Sequence, residues 1–592
     1  MAARLVTFLA LLTLIIAAPA CGGDDSGAGP DADPDNGNGD NGNGDNGNGD
    51  NGNGDNGNGA IGDGDDCPTY QMECEIDGEP QCIPGAIDPD NCGDCGVTCE
   101  DGEVCSGGEC IPEDGGEDGE IACPTFEDAE DATLVCDRKC TNTNWDSNNC
   151  GGCADDGGEV CGDGQGCVYG QCVDAIGTEE VDGCEGGGPP IFFPGLGDDD
   201  ENGNGDGEVC AGNIAETTFG FGLCSCEAIN LGFVLDVDAF DSAVGAYIPG
   251  APGGGVGANE NITSTSQGET RVTGVFWSTE GPMSVSKEST VGQQLYCGGD
   301  VQVNNTLDVG GDGFVTGDFQ GGSTNFGGTL HVRDEDQLSG ADVNSDGLEV
   351  DPQLEVRNAC GDCDEPLPIA DIVEARADDN DNDLLDDFDS GVLDNPAGDV
   401  RIDLPCGNYY LDNINVGPGQ EVVIVAHGRT ALYVGGNVSF DHRVTIVPAE
   451  GAELDFLVAG EAEFGQQLTQ LGSPNYPAMF RMYVGGEELG VFPFPQRVGL
   501  GGFLYALPGG YTQGNQRFRA FGGLHVQSFD TSNQDAEISF DRRVFQVGED
   551  CPDDPDDPDR CIPLGEECEE SAECCTPLQC LSGVCREGVV IE

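Results

Sequence analysis

Val422-Val423-Ile424-Val425, Leu432-Tyr433-Val434, Leu454-Asp455-Phe456-Leu457-Val458, Met482-Tyr483-Val484, Phe503-Leu504-Tyr505-Ala506 and Leu524-His525-Val526 are the runs on which the fold turns. Each is short, rich in β-branched or aromatic residues and set between Gly or Pro breaks, which reads as strand after strand with no helical spacing. Five of their last residues, Val434, Val458, Val484, Ala506 and Val526, stand 24, 26, 22 and 20 positions apart. That repeat fits coils stacked as in a parallel β-helix. Working outward, Leu307 and Val309, Leu330 and Val332, and Leu348 and Val350 carry the same alternation, and strand character resumes near Phe219. The solenoid is therefore placed at residues 209–547. The expected fold class is mainly β: a parallel β-helix or solenoid-like domain accompanied by small disulfide-rich modules and disordered acidic linkers. Stacked coils bury aliphatic ladders and turn flat faces outward, which is the architecture of a scaffold before that of a catalyst.

Composition bounds the rest. Across 592 residues, 113 Asp and Glu stand against 19 Lys and Arg, a net charge of -94, so the surface is self-repelling and strongly hydrated. Nucleic acid is excluded as a partner, because phosphate binding needs clustered cations and residues 22–174 hold only Arg138 and Lys139. Thirty-two Cys at module-like spacings call for an oxidising compartment.

The chain opens with Arg4, an apolar run from Leu5 to Ala18, and Pro19-Ala20-Cys21, a signal peptide over residues 1–20. The small residues before Cys21 resemble a bacterial lipobox. That resemblance implies acylation of Cys21, a membrane anchor and, with Gly22 in place of a retaining Asp, an outer-membrane, surface-exposed lipoprotein. Ala18-x-Ala20 is also an acceptable ordinary cleavage site, which would leave a secreted protein. Residues 21–66 form the tether: Asp-Asn-Gly-Asn-Gly repeats five times from Asp35 to Gly59 with nothing apolar to bury.

Residues 67–112 and 123–174 are two copies of one module with eight Cys each. In the first, Cys82, Cys92, Cys95, Cys99, Cys105 and Cys110 are separated by nine, two, three, five and four residues. In the second, Cys140, Cys150, Cys153, Cys161, Cys167 and Cys172 are separated by nine, two, seven, five and four. Asn91-Cys92-Gly93-Asp94-Cys95-Gly96 and Asn149-Cys150-Gly151-Gly152-Cys153 resemble the Stig1-like cysteine-rich repeat of secreted proteins, which implies a stapled extracellular module without activity. Zinc would need a second Cys-x-x-Cys knuckle in each module.

A second linker, residues 175–208, is Gly, Pro and acid apart from Ile191-Phe192-Phe193, an apolar trio expected to pack on a neighbouring module. Within the solenoid, which resembles uncharacterised bacterial surface domains of the same kind, Cys210, Cys224, Cys226, Cys297, Cys360, Cys363 and Cys406 are expected to staple ends and loops. Cys360-Gly-Asp-Cys363 lacks a βαβ context and reads as structural rather than redox. Residues 551–592 carry Cys561, Cys568, Cys574, Cys575, Cys580 and Cys585, a pattern resembling an inhibitor cystine knot. The resemblance implies the pairs Cys561 to Cys575, Cys568 to Cys580 and Cys574 to Cys585, out of 15 connectivities that six Cys permit. With Cys21 acylated an odd number of Cys remains, and Cys184 and Cys551, at linker edges, are the expected unpaired candidates.

Two acidic loops are candidate calcium sites. Asp342, Asn344 and Asp346 with Gly347 have the alternating oxygen ligands and turn Gly of an EF-hand-like loop, although Gln353 stands where a bidentate Glu belongs. Asp379, Asp381 and Asp383 resemble thrombospondin-type loops, with Leu384 in place of Gly. A solvated turn is an equal reading of either in so acidic a chain. Calcium is thus the one cofactor the sequence offers a place for. No metalloprotease, nucleophile-elbow or phosphate-loop motif occurs. The reading is a non-enzymatic adhesive or structural display protein contacting glycans or other surface proteins. The alternatives are a polysaccharide hydrolase or lyase on a β-helix, and a secreted calcium-binding or protease-inhibitory protein. A lyase would need basic groups, and the chain has only Lys139 and Lys287. A hydrolase would show as carboxylates of unlike pKa gathered in a cleft.

Overall fold

The structure, a computed structural model, describes residues 133–551 apart from 137–138, 155–156, 178–183, 185–186, 197–206, 245–246, 248, 266–267, 362, 465–468, 487–497, 508, 510, 513–517, 532–534 and 549–550. It also gives the backbone of short hairpin strands between 72 and 112 and between 578 and 587. The stretches read as signal peptide and tether, Cys21 and the side chains of the first module lie outside the described residues, as do the side chains of Cys561, Cys568, Cys574, Cys575, Cys580 and Cys585. Within the terminal hairpins, Cys105 stands opposite Cys110 and Cys580 opposite Cys585.

The repeat in the deciding runs is a stacking register. Val434 pairs with Val458, Val458 with Val484, Val484 with Ala506 and Ala506 with Val526, all in parallel strands. Each coil contributes strands to up to three faces. One face runs from Val400–Leu404 through Val422–Ala426 and Val444–Pro448; a second from Gly407–Leu411 through Arg429–Val434 and Glu453–Val458; a third from Ile414–Val416 through Val438–Phe440. Inward side chains such as Val422, Ile424, Leu432, Val434, Leu454 and Phe456 form one continuous core along the stack. Each fully buried aliphatic residue contributes about 2 kcal/mol.

Coil order does not follow chain order. Residues 223–240 form a coil that stacks on two neighbours. On one side it pairs with Phe518–Val526, Phe529–Thr531 and Ala536–Asp541; on the other with Val256–Ala258, Ile262–Ser264 and Glu269–Val272. From this junction the chain winds outward to Gly347–Val350, crosses back outside the stack, re-enters at Val400–Leu404 and winds inward until Ala536–Asp541 closes on Val234–Phe240. Tight corners permit the stacking. Gly522, at φ +118°, turns the strand Phe518–Val526 from one face to the next, and a Cβ there would run into the Gly502 carbonyl of the coil beneath.

Much of the outer surface is clothed rather than flat. Ala431, Tyr433, Leu457, Tyr483, Phe503 and Tyr505 are covered by helices α1 (Ala211–Thr218) and α2 (Ile369–Arg376) and by Ile191 and Phe193. The stretch read as a linker at 175–208 therefore holds an ordered strand, Phe192–Pro194, paired with Glu208–Cys210. In the other half Trp277, Tyr296, Phe314 and His331 stack at 4.4, 5.0 and 4.4 Å, close to the ~4.8 Å spacing of paired strands. Leu354, Ala359 and Cys360 cap that ladder. Burial on both sides explains why these strands read as unbroken apolar runs.

The second cysteine-rich module joins the same sheet instead of ending at residue 174. Its last strand, Gln171–Ile176, pairs with the first re-entry strand through Ala175 to Arg401 and Ile176 to Ile402. Arg401 donates to the carbonyls of Trp145 and Cys167 at 2.9 and 3.1 Å and to the Asp403 carboxylate at 2.7 Å. Burial alone would raise the pKa of Asp403, but His427 and Arg401 hold it below the usual range. The module is stapled by Cys136–Cys153, Cys150–Cys167 and Cys161–Cys172.

Three cysteine expectations are corrected. Cys184 and Cys551 are not unpaired: they bond Cys406 and Cys210, because the chain on either side of the solenoid folds back over its coils. Cys297 is not a staple. It is a free thiol turned into the core between Ser278 and Val315, neither of which offers a sulfur, and burial pushes its pKa up to about 11. Cys360 and Cys363 do staple, to Cys224 and Cys226, fastening the crossing segment to the junction coil.

Candidate functional site

The junction of the two halves carries a cleft of about 690 Å³ on the face formed by Phe518–Val526, Ala536–Asp541, Val234–Phe240, Glu269–Val272 and Ser289–Val291. In Val234–Phe240 the period of two sends Leu235 and Val237 into the core and leaves Asp236 and Asp238 on the outer side. Register then sets a row across five strands: Arg519, Glu537, Asp236, Arg271 and Thr290. Ser539 and Asp238 form a second row two residues further along.

The row is largely self-neutralised. Arg271 lies 3.2 Å from Asp236 and 2.8 Å from Glu269, and Arg519 lies 3.8 Å from Glu537. The Arg519 guanidinium also rests over the rings of Phe521 and Tyr247, at 4.8 and 5.9 Å. The loop after Phe240 closes the cleft. Tyr247 packs edge-on against Phe240 and Phe521, and its hydroxyl donates to Asp238 Oδ2 at 2.7 Å. The Gly250 amide donates to the same oxygen at 2.7 Å. Pro249 and Pro252 supply an apolar wall.

Asp238 is only 7% exposed. Burial raises its pKa, against the opposing pull of the Gly250 amide and the Tyr247 and Ser539 hydroxyls, and burial also pushes Tyr247 up to about 12. Asp238 and Thr273 are among the residues that line this cleft, and their Oδ1 and Oγ1 atoms are buried with no hydrogen-bond partner. A buried acceptor and a buried hydroxyl left open beside a cavity are what a bound hydroxyl or amide would satisfy.

The structure spreads the first candidate calcium loop along an extended edge. Asp342 and Asn344 lie in the strand Asp342–Asn344, exposed on the same side, with Asp346 also exposed before Gly347–Val350. Asn344 donates to Asn325, which donates to Asp308, an amide ladder between coils. In the second loop, Asp379 pairs with Arg376 and Asp381 accepts the Asn408 amide at 2.7 Å. Asp383 lies in the 3-10 turn Asn382–Leu384. Among the described residues, neither loop brings three Asp, Glu, His or Cys ligand atoms within 4.8 Å of one another; the groups that do so are Cys150, Cys161 and Cys172, and Cys226, Cys363 and His525. All five of those cysteines are in disulfides.

The cleft residues were not singled out from sequence. The signal available was Leu235-Asp236-Val237-Asp238, an alternation of aliphatic and acid that marks a strand with a polar outer row.

The class defined by this geometry is a parallel β-solenoid closed from two interlocking halves and riveted by disulfides. A family model described as "Domain of unknown function (DUF7305)" matches residues 355–547. That span covers most of the crossing segment and all the re-entering coils, including Arg519, Glu537 and Ser539, but none of Asp236, Asp238, Tyr247 or Arg271. No curated protein and no solved structure matches the chain.

Proposed function

We propose that this protein is a non-enzymatic, surface-exposed lipoprotein of the bacterial outer membrane, anchored through Cys21, whose disulfide modules and solenoid form an adhesive or structural display contacting glycans or other surface proteins. The observation that carries this reading is the riveting of the stack. Cys184–Cys406, Cys210–Cys551, Cys224–Cys360 and Cys226–Cys363 close loops of 222, 341, 136 and 137 residues over a continuous core. Cross-links over such long loops favour persistence in an oxidising exterior. The test joins acyl labelling of wild type and Cys21→Ser with a glycan-array and depolymerisation screen of the purified protein. Labelling that depends on Cys21, with binding and no turnover, is expected; equal labelling or turnover refutes it.

A polysaccharide hydrolase is the second reading, favoured by one observation: Asp238, its pKa raised by burial, shares a cleft with Asp236 and Glu537. Turnover abolished by Asp238→Asn or Glu537→Gln decides for it.

A further inference from the structure

We infer that the junction cleft is a binding subsite for an uncharged sugar unit of a polysaccharide. The inference rests on the display reading and names the chemistry of the ligand and the residues that hold it.

Charge narrows the ligand first. Arg271 and Arg519 are already engaged by Asp236, Glu269 and Glu537, and Asp238 adds no positive charge. The whole chain carries a net charge of -94, so a uronate, sulfate or phosphate would enter against the field. A metal ion fits no better, since the cleft carboxylates are not among the described groups whose ligand atoms converge within 4.8 Å.

The open atoms narrow it further. Asp238 Oδ1, if ionised, needs a donor; Thr273 Oγ1 can take either a donor or an acceptor. Sugar hydroxyls donate to the carboxylate oxygen and can either donate to or accept from the threonine hydroxyl, so a neutral polyol satisfies both without bringing charge into the cleft, whereas an anion has no proton to give Oδ1. Planar carboxylates and guanidinium groups standing in register offer further donors and acceptors to successive ring hydroxyls. Pro249, Pro252 and Tyr247 give the apolar C–H side of a pyranose a surface to lie against. The volume, about 690 Å³, is that of an ordinary small-ligand cleft.

The experiment is calorimetry on the full chain with neutral oligosaccharides as probes: gluco-, manno-, xylo- and N-acetylglucosamine hexamers, with oligogalacturonate as the anionic comparator. At least one neutral hexamer is expected to bind saturably and more tightly than oligogalacturonate. Thr273→Val, which keeps shape and removes the hydroxyl, is expected to weaken that binding about tenfold. Asp238→Asn is expected to weaken it as well, while Glu349→Gln, far along the stack, leaves it unchanged. Thermal melting establishes that each variant is folded; if Asp238→Asn melts early, Thr273→Val decides. No binding of any neutral hexamer, preference for oligogalacturonate, or binding indifferent to Thr273→Val overturns the inference. In the last case glycans bind elsewhere on the solenoid, and the display reading stands without this site.

Discussion

His525 sits at the seam where the two halves meet, in register with Cys224 on one side and Tyr505 on the other. It is 8% exposed, its Nδ1 donates to the Thr218 carbonyl at 3.2 Å, and its Nε2 lies 3.8 Å from Cys226 Sγ. The Tyr505 ring meets it edge-on at 5.3 Å. Burial lowers its pKa from 6.5 to about 4. A base buried neutral makes the fold stable above the unfolded pKa of 6.5, and that contribution drains away as pH falls towards 4, where the folded state takes up the proton too. Linkage puts the loss at about 2 kcal/mol by pH 5 and about 3 kcal/mol by pH 4. His525→Gln keeps a donor for Thr218 without a titrating ring. Urea unfolding of wild type and variant, followed by tryptophan fluorescence between pH 7.5 and pH 4, isolates this term from the many carboxylates, which are common to both chains. Wild type should lose about 2 kcal/mol more than the variant between pH 7 and pH 5. Parallel pH profiles would refute the burial argument.

Three further perturbations follow from the packing. Arg481, fully buried, donates to Asp455 at 2.6 and 2.8 Å and to Glu453 at 3.1 Å; Arg481→Met should cost about 3–5 kcal/mol by urea unfolding, and Asp455→Leu added to it should recover most of the loss. Gly522→Ala should destabilise by about 2 kcal/mol in the same assay, since a methyl group meets both a strained φ and the Gly502 carbonyl. Cys297, with its thiol pushed up to about 11, should resist iodoacetamide at pH 8 in the native protein and react in denaturant, as read by mass spectrometry.

The strands and their parallel stacking were legible because one coil repeats the same local demand on the backbone. Inward positions such as Val434, Val458 and Val484 must be apolar, and Gly must stand at the corners, so periodicity in the chain is periodicity in space. The use of cysteine in disulfides was equally legible, since cysteine number and spacing are local facts. Coil order, disulfide partners and the cleft were not. Any coil edge in this stack offers parallel backbone donors and acceptors of the same kind, so nothing in the strand pattern of 223–240 says that it will seat between 256–272 and 518–541. That choice is made by the path of the crossing segment and by the side chains that clothe the outer faces. Pairing Cys184 with Cys406, leaving Cys297 alone, and bringing Asp236 and Asp238 beside Glu537 and Arg519 all depend on it, because contacts between distant parts of a chain exist only once the stack has closed.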